Sequence, residues 1–146
     1  TYMVWDAQIG GDIYNATRQW PYRDNLSADI DQQGKSEGNK KPIQYYATLY
    51  NTNAVNSHFV EDGSYLKLRE LSVDYTLNSE TLANIFGGGT SGGFLREVSV
   101  GVTGRNLLTI TGYSGYDPDV LSGGFRIDNF SYPVYRTITG KLEFKF

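Results

Sequence analysis

The sequence predicts an all-β chain, a segment of a transmembrane antiparallel β-barrel with long extracellular loops. Three observations lead there: four stretches alternate apolar with polar residues, the loops between them are unequal, and an alternating apolar strand runs to the last residue, Phe146. Successive strand residues point to opposite faces, so a period of two marks a sheet with two unlike sides. In 1–9, Met3, Trp5, Ala7 and Ile9 share one face, with Asp6 and Gln8 on the other. In 58–77, Leu66 and Leu68 lie at one parity and Leu71, Val73, Tyr75 and Leu77 at the opposite one. The phase flips near Arg69-Glu70, which predicts a β-bulge, since one extra residue re-aims every later side chain. In 96–111, Val98, Val100, Val102, Leu108 and Ile110 alternate with Glu97, Ser99, Thr103, Arg105, Thr109 and Thr111. In 134–146, Ile138, Gly140, Leu142, Phe144 and Phe146 alternate with Thr137, Thr139, Lys141, Glu143 and Lys145.

The connections differ in length. Residues 10–57 and 112–133 are long excursions and 78–95 a shorter one, and long loops in compact domains usually carry function. Ile43, Tyr46, Ala47 and Tyr50 follow Pro42 at helical spacing, which predicts a short helix. The polar stretch 32–41 (QQGKSEGNKK) reads as a mobile tip. Ser79 is the expected cap of a helix over 80–86, ended by Gly87-Gly88-Gly89. No internal repeat or linker stands out.

Composition narrows the classes. At 146 residues the chain is one domain or a piece of one. Its net charge of -3 does not favour a polyanion partner, so no nucleic acid is expected. Without cysteine it has no disulfides, thiolate metal sites or cysteine nucleophile. Seventeen glycines and an aromatic share of 14% favour strands and turns. No run reaches the roughly 18 apolar residues of a transmembrane helix, but barrel strands escape such windows. No signal peptide is visible, and the chain opens on strand-like residues without an initiator methionine. A part preceding Thr1 is therefore expected.

Alternation alone fits a soluble sandwich, where a second sheet covers the apolar face, or a barrel, where lipid does. The stretch Val98 to Leu108 has the roughly 9–11 residues that a tilted strand needs to cross a bilayer. An uncovered apolar edge strand invites aggregation in water, whereas barrel closure pairs it. Taking 134–146 to run inward places both long loops outside. Four strands cannot close a barrel, and open edges in lipid leave backbone groups unsatisfied. The chain is therefore expected to complete a larger wall.

The stretch 59–77 (FVEDGSYLKLRELSVDYTL) resembles a run found in SusC/RagA-type TonB-dependent outer-membrane transporters, and so does 104–120 (GRNLLTITGYSGYDPDV). Residues 127–133 (IDNFSYP), then Arg136-Thr137 and the terminal aromatic strand, are similar to the same family, with a weaker likeness at 10–18 (GGDIYNATR). Asp74 and Asn78 depart from its usual glycine and proline, and 87–93 (GGGTSGG) is richer in glycine than the family pattern. The resemblance implies the last four or so strands of a 22-stranded barrel, with residues 1–146 as its C-terminal part and the plug domain absent. It also implies energised import of large nutrients, glycans or oligopeptides, across the outer membrane of a Gram-negative bacterium. The implied partners are the remaining barrel and plug, a SusD-like surface lipoprotein over the outer loops, TonB through the missing N-terminal part, outer-membrane lipid and the cargo. A soluble β-sandwich carbohydrate-binding module is the alternative, and a siderophore-type TonB receptor would share the barrel.

Leu142, Phe144 and Phe146 resemble the C-terminal assembly signal of outer-membrane proteins, and as a bland reading they simply face lipid. Tyr113, Tyr116, Asp117 and Asp119 sit at an outer strand end. There they would contact a ligand or lid, or else form an aromatic girdle with loop-fixing hydrogen bonds. Trp20, Tyr22, Tyr45 and Tyr46 are similar candidates, with loop self-packing as the plainer role. Asp74, Arg105, Lys141, Glu143 and Lys145 are expected on the wet face. His58 is the only histidine, so no histidine-based triad or cluster exists. Asp117, Asp119 and Asp128 are hard oxygen donors but match no EF-hand spacing. Gly87-Gly88-Gly89-Thr90 lacks the lysine of a phosphate loop. Three short Asn-x-Ser/Thr matches carry no weight. No catalytic residue, metal or cofactor is assigned.

Overall fold

The computed structural model describes residues 1–50, 56–86, 96–120 and 124–146. These form two compact units. The first holds a sheet in the order β1-β4-β5-β7, built from β1 (Tyr2–Gln8), β4 (Tyr65–Asn78), β5 (Glu97–Thr111) and β7 (Thr137–Lys145). Strands β5 and β7 pair antiparallel from Glu97↔Lys145 to Arg105↔Thr137. This register sets Val98 opposite Phe144 and Val100 opposite Leu142, and puts Ser99 opposite Glu143 and Thr103 opposite Thr139. One face is thus a row of aliphatic and aromatic groups, and the other is polar throughout. No helix among the described residues is long and apolar enough to cross a membrane.

The polar face is stitched across every strand boundary. Arg69 on β4 donates to Asp6 on β1 at 2.6 Å, and Arg105 on β5 donates to Glu70 at 2.9 Å. The Ser72 and Thr103 hydroxyls meet at 2.8 Å, those of Thr76 and Ser99 at 3.0 Å, and Lys145 donates to Glu97 at 2.6 Å. A Cβ added at Gly101 would run into the Asp74 carboxylate, so glycine here lets the carboxylate lie across the strand. The described residues leave most of the apolar face uncovered, although Val98 at its end is buried. Val100 is 45% exposed, Leu142 61% and Ile138 72%. The sandwich alternative required that row to be covered. The chain is an all-β piece of barrel wall.

Two local irregularities shape the wall. Arg69 and Glu70 are consecutive, yet both reach polar-row partners, Asp6 and Arg105. A regular strand would aim them at opposite faces, so the parity changes between them, as the sequence requires. The second was not legible. Asn106 has φ 52°, and its side-chain amide donates to the Tyr135 carbonyl at 3.0 Å. The Leu107 side chain folds against Gly104, three residues back, which a continuous pleat forbids. β5 is thus one strand from Glu97 to Thr111, as expected for Val98 to Leu108, and carries a bulge at Asn106 that the alternation alone does not reveal. Helix α3 (Ser79–Phe86) corrects one detail. Its cap is Asn78, whose Oδ1 accepts the Thr81 N–H at 2.9 Å, and Ser79 is already the first helical residue. The expected glycine stop and the GGGTSGG turn lie outside the described residues.

The second unit gathers residues 8–65 with 111–133, so both long excursions belong to one body. They are not structureless. Strand β2 (Asp12–Asn15) pairs antiparallel with β3 (Val60–Asp62) and parallel with β6 (Ile127–Asp128). Helices α1 (Ala16–Gln19) and α2 (Ile43–Leu49) join short 3-10 turns around Tyr22, Tyr46 and Phe59, a buried aromatic core. Pro42 stands at the N-cap of α2, and Tyr46 is its buried anchor. The polar stretch 32–41 is mostly exposed and is tied at its ends: Gln32 donates to the Ile30 carbonyl at 2.6 Å and to the Tyr46 hydroxyl at 3.1 Å, and accepts the Lys41 N–H at 3.0 Å. Arg126 fastens three segments, donating to the carbonyls of Gly11 (3.0 Å), Gly63 (3.1 Å) and Pro118 (2.6 Å). Gly63 is needed at this knot, because a Cβ would strike the Gly11 carbonyl and the guanidinium.

Replacing Val100 by Arg puts a charge on the apolar row. It is expected to cost about 2–4 kcal/mol at mid-bilayer, read as lost outer-membrane abundance and a lower unfolding midpoint in lipid. Tolerance typical of a solvent-facing site would show that this row does not meet hydrocarbon. Arg126→Met should loosen the second unit by about 2–3 kcal/mol by stranding carbonyls that a charged donor now satisfies, seen as faster proteolysis within 8–65.

Candidate functional site

The best-formed constellation lies in the second unit. Asn15 ends β2 and caps α1 by accepting the Arg18 N–H at 2.8 Å. Its amide donates to Glu61 Oε1 at 3.1 Å. Glu61 also accepts the Ser114 N–H and hydroxyl, both at 2.8 Å, and Arg18 at 3.2 Å. Arg18 bridges onward to Asp29 at 3.0 Å, and Asp29 accepts the hydroxyl of the buried Tyr22. His58 stands beside that hydroxyl, its Nε2 at 3.3 Å. A continuous polar chain thus runs along the aromatic core.

Electrostatics follow from these bonds. Burial opposes the charged form of Glu61, but Ser114, Asn15 and Arg18 outweigh it and hold its pKa below the usual carboxylate range. Asp29 is lowered chiefly by the Tyr22 hydrogen bond, with Arg18 assisting. Burial pushes the Tyr22 phenol up to about 12, and its bond to Asp29 adds to the rise. Tyr113 is raised as well, first by burial and then by donating to Asp128 at 2.7 Å.

Asp128 is the second hub. It is buried and accepts Tyr113, the Thr17 hydroxyl (2.9 Å) and the Ser131 N–H (3.2 Å). Thr17 in turn accepts the Phe130 N–H at 2.7 Å. Phe130 sits at φ 57°, a left-handed conformation that costs a bulky residue about 1–3 kcal/mol unless its surroundings enforce it. Its ring lies 5.9 Å from Trp20, which also meets Tyr50 at 5.9 Å and carries the Arg23 guanidinium 5.8 Å over its ring.

The residues singled out from sequence divide cleanly. Tyr22, Tyr46 and Tyr113 are buried core with bonded hydroxyls, the loop-packing role. Tyr45 stacks on Tyr46 and remains partly exposed. Trp20 is 40% exposed and Tyr116 81%. Asp117 accepts the Asp119 N–H at 2.9 Å around buried Pro118, so this carboxylate shapes a turn. Asp128, weighed with them as a hard donor, is occupied by protein hydrogen bonds. Arg105 and Lys141 line an open cleft of about 560 Å³ on the polar face with Glu70 and Thr103; Lys141 pairs with Glu143 and Lys145 with Glu97. Leu142, Phe144 and Phe146 share the exposed apolar face. Phe130, Arg18, Glu61 and Arg126 were missed. Nothing in the sequence flags a phenylalanine for positive φ, or an arginine for chelating carbonyls.

No protein-family model matches the chain. Two curated relatives do, both from Formosa agariphila. TonB-dependent receptor P3 is 30% identical over 155 residues, covering 99% of this chain and 14% of the relative. TonB-dependent receptor P39 is 25% identical over 111 residues, covering 73% and 10%. Among solved structures, the RagAB peptide importer in its open-open state superposes with a TM-score of 0.65 at 20% identity, over 99% of this chain and 15% of that one. The closed-closed state gives 0.66. The chain is similar in sequence to a segment of TonB-dependent receptors and in fold to a segment of RagAB. It spans only 14% and 10% of the lengths of these curated receptors. The likeness to RagAB speaks to the fold, with the four-stranded wall and the gathered loops both inside the aligned region.

The carboxylates and phenols set a pH window for the receptor segment. Asp29 and Glu61, lowered on folding, stabilise the second unit fully above their ordinary values of 3.8 and 4.5. That contribution fades as pH falls through the folded values. Tyr22 and Tyr113, raised on folding, contribute fully below pH 10.0, and that share is lost as pH rises, for Tyr22 through about 12. Proteolytic resistance of 8–65 should hold a plateau between roughly pH 5 and 10 and fall on both sides. The double variant Tyr22→Phe, Tyr113→Phe should lower the plateau and flatten the alkaline limb. An unchanged limb refutes the assignment.

Proposed function

We propose that the chain is the C-terminal barrel segment of a SusC-like importer in the outer membrane of a Gram-negative bacterium. It takes up large nutrients, glycans or oligopeptides, under a SusD-like surface lipoprotein and with energy delivered by TonB. The observation that carries this reading is the two-faced sheet: an exposed apolar row on one side, an ion-paired polar face on the other, and β1 and β7 at its open edges. A sheet of that kind is stable only where lipid covers the first face, water wets the second and further strands pair the edges. The match of nearly the whole of this chain to a segment of TonB-dependent receptors supports the transport class, and the likeness to a segment of the RagAB peptide importer is in keeping with a two-protein assembly.

Within this proposal the exposed Trp20, Tyr116 and Asp119 and the half-buried Asp117 face the cargo or the lid. Arg105, Lys141, Glu143 and Lys145 line the lumen or meet the plug. Leu142, Phe144 and Phe146 form the row that the assembly machinery reads, by strand addition to an alternating edge.

Uptake of labelled oligosaccharides and oligopeptides by cells carrying the full-length protein tests the reading. Import of at least one class is expected to vanish when TonB is deleted. Import that survives the deletion, or a protein that folds as a soluble monomer without detergent, overturns it. Phe146→Asp should lower outer-membrane abundance, and unchanged abundance removes the sorting role.

A further inference from the structure

The polar face of the sheet holds its charges in pairs. Arg69 meets Asp6 at 2.6 Å, Arg105 meets Glu70 at 2.9 Å, Lys145 meets Glu97 at 2.6 Å and Lys141 meets Glu143 at 2.7 Å. The first three pairs cross from strand to strand and so help to fix the register. Lys141 and Glu143 differ from them, because they stand two apart on β7, on one face of one strand. A pair along a single strand joins no neighbours and holds no register. Both side chains are partly exposed, 59% and 41%, where an ion pair adds little stability. What the contact does achieve is cancellation: an ammonium beside a carboxylate is a short dipole, whose field fades faster with distance than that of a lone charge. Gly101 serves the same end. It stands opposite Lys141 in the ladder, and its missing side chain lets the Asp74 carboxylate lie across β5 beside the Lys141 stem.

The cleft of about 560 Å³ lies among these groups. Thr103 and Thr139 face each other in the register, one row from Arg105 and one row from Lys141, and line the cleft with hydroxyls. A solute there finds donors and acceptors, but each flanking cation already has its counter-ion built into the wall. Pores that sort by charge turn unpaired like charges toward the lumen, and a solute held too firmly does not leave. We infer that this stretch of wall passes hydrogen-bonding solutes without sorting them by charge, whether acidic, neutral or basic. The inference rests on the importer reading, in which the polar face meets the moving solute. The intrastrand pair carries it, since neither register nor stability accounts for that pair.

The test reads the local potential at the cleft. Thr139→Cys is made in the full-length protein; these 146 residues hold no cysteine, and any elsewhere is replaced. The thiol is reacted with a cationic and an anionic methanethiosulfonate of similar size, in detergent and on cells. The ratio of the two rates, divided by the same ratio for a small free thiol, is expected within about twofold of one. Adding Glu143→Gln leaves Lys141 without its nearest counter-ion and should shift the ratio about threefold or more toward the anionic reagent, less at high salt. Adding Lys141→Gln to that variant should restore the parent ratio, which a general disturbance of the strand would not do. A parent ratio skewed about tenfold either way, or a Glu143→Gln ratio equal to the parent's, overturns the inference. So does a thiol that neither reagent reaches. TonB-dependent uptake is scored in the same cells: a skewed ratio with uptake intact defeats charge indifference alone, whereas uptake that ignores TonB defeats the importer reading and with it the moving solute.

Discussion

A strand ladder whose two faces meet different solvents is the constraint from which the rest of this molecule follows. Val98, Val100 and Val102 on β5 stand opposite Phe144, Leu142 and Gly140 on β7, so one register settles both faces together. Sliding β5 by one residue would send Glu97 and Ser99 into the apolar row and the valines into the polar one. The cross-strand pairs guard against that slip. Lys145 with Glu97, Arg105 with Glu70 and Arg69 with Asp6 are partly exposed and individually weak, but together they tie β1, β4, β5 and β7 in one alignment. Their value is specificity of register more than stability.

The loop unit solves a different problem. Two excursions of dozens of residues lack a large apolar core, and most of their stability must come from a small aromatic cluster and buried polar hubs. Each hub is a charge that several segments share: Glu61 joins residues 15, 18 and 114, Asp128 joins 17, 113 and 131, and Arg126 joins 11, 63 and 118. Ionised groups accept or donate several hydrogen bonds at once and bind more strongly than neutral ones. One side chain can therefore immobilise three stretches of backbone that would otherwise fray.

These two physical regimes explain what the sequence disclosed. The wall was legible because its determinant is local: a period of two survives in the order of residues, and even the parity flip at Arg69-Glu70 is written there. The helix after Pro42 was legible for the same reason, although only Tyr46 of its apolar residues is deeply buried. The hubs were not legible. Arg126 reaches carbonyl oxygens, which every residue carries, and Glu61 finds Ser114 across 53 positions of sequence. Strands β2 and β6, four and two residues long, exist only because long-range pairing makes them. The Gln32 contacts that tie the ends of 32–41 cannot be inferred from its polarity. Tyr22 and Tyr113 stayed open between ligand contact and loop packing, because the carboxylates that accept their hydroxyls, Asp29 and Asp128, cannot be paired with them from sequence.

The placement of strain sharpens the distinction between wall and loops. Among the described residues, Asn25, Asn106 in β5 and Phe130 beyond β6 are the non-glycine residues with positive φ. Asparagine tolerates the left-handed region, and the Asn106 amide bonds the Tyr135 carbonyl, so the bulge in the wall is a low-cost kink with its own local compensation. Phenylalanine has no such remedy. Its cost is met from outside, by Thr17 and Asp128, and replacing it by glycine would remove that cost outright. The ring offsets part of that cost by packing against Trp20, 5.9 Å away.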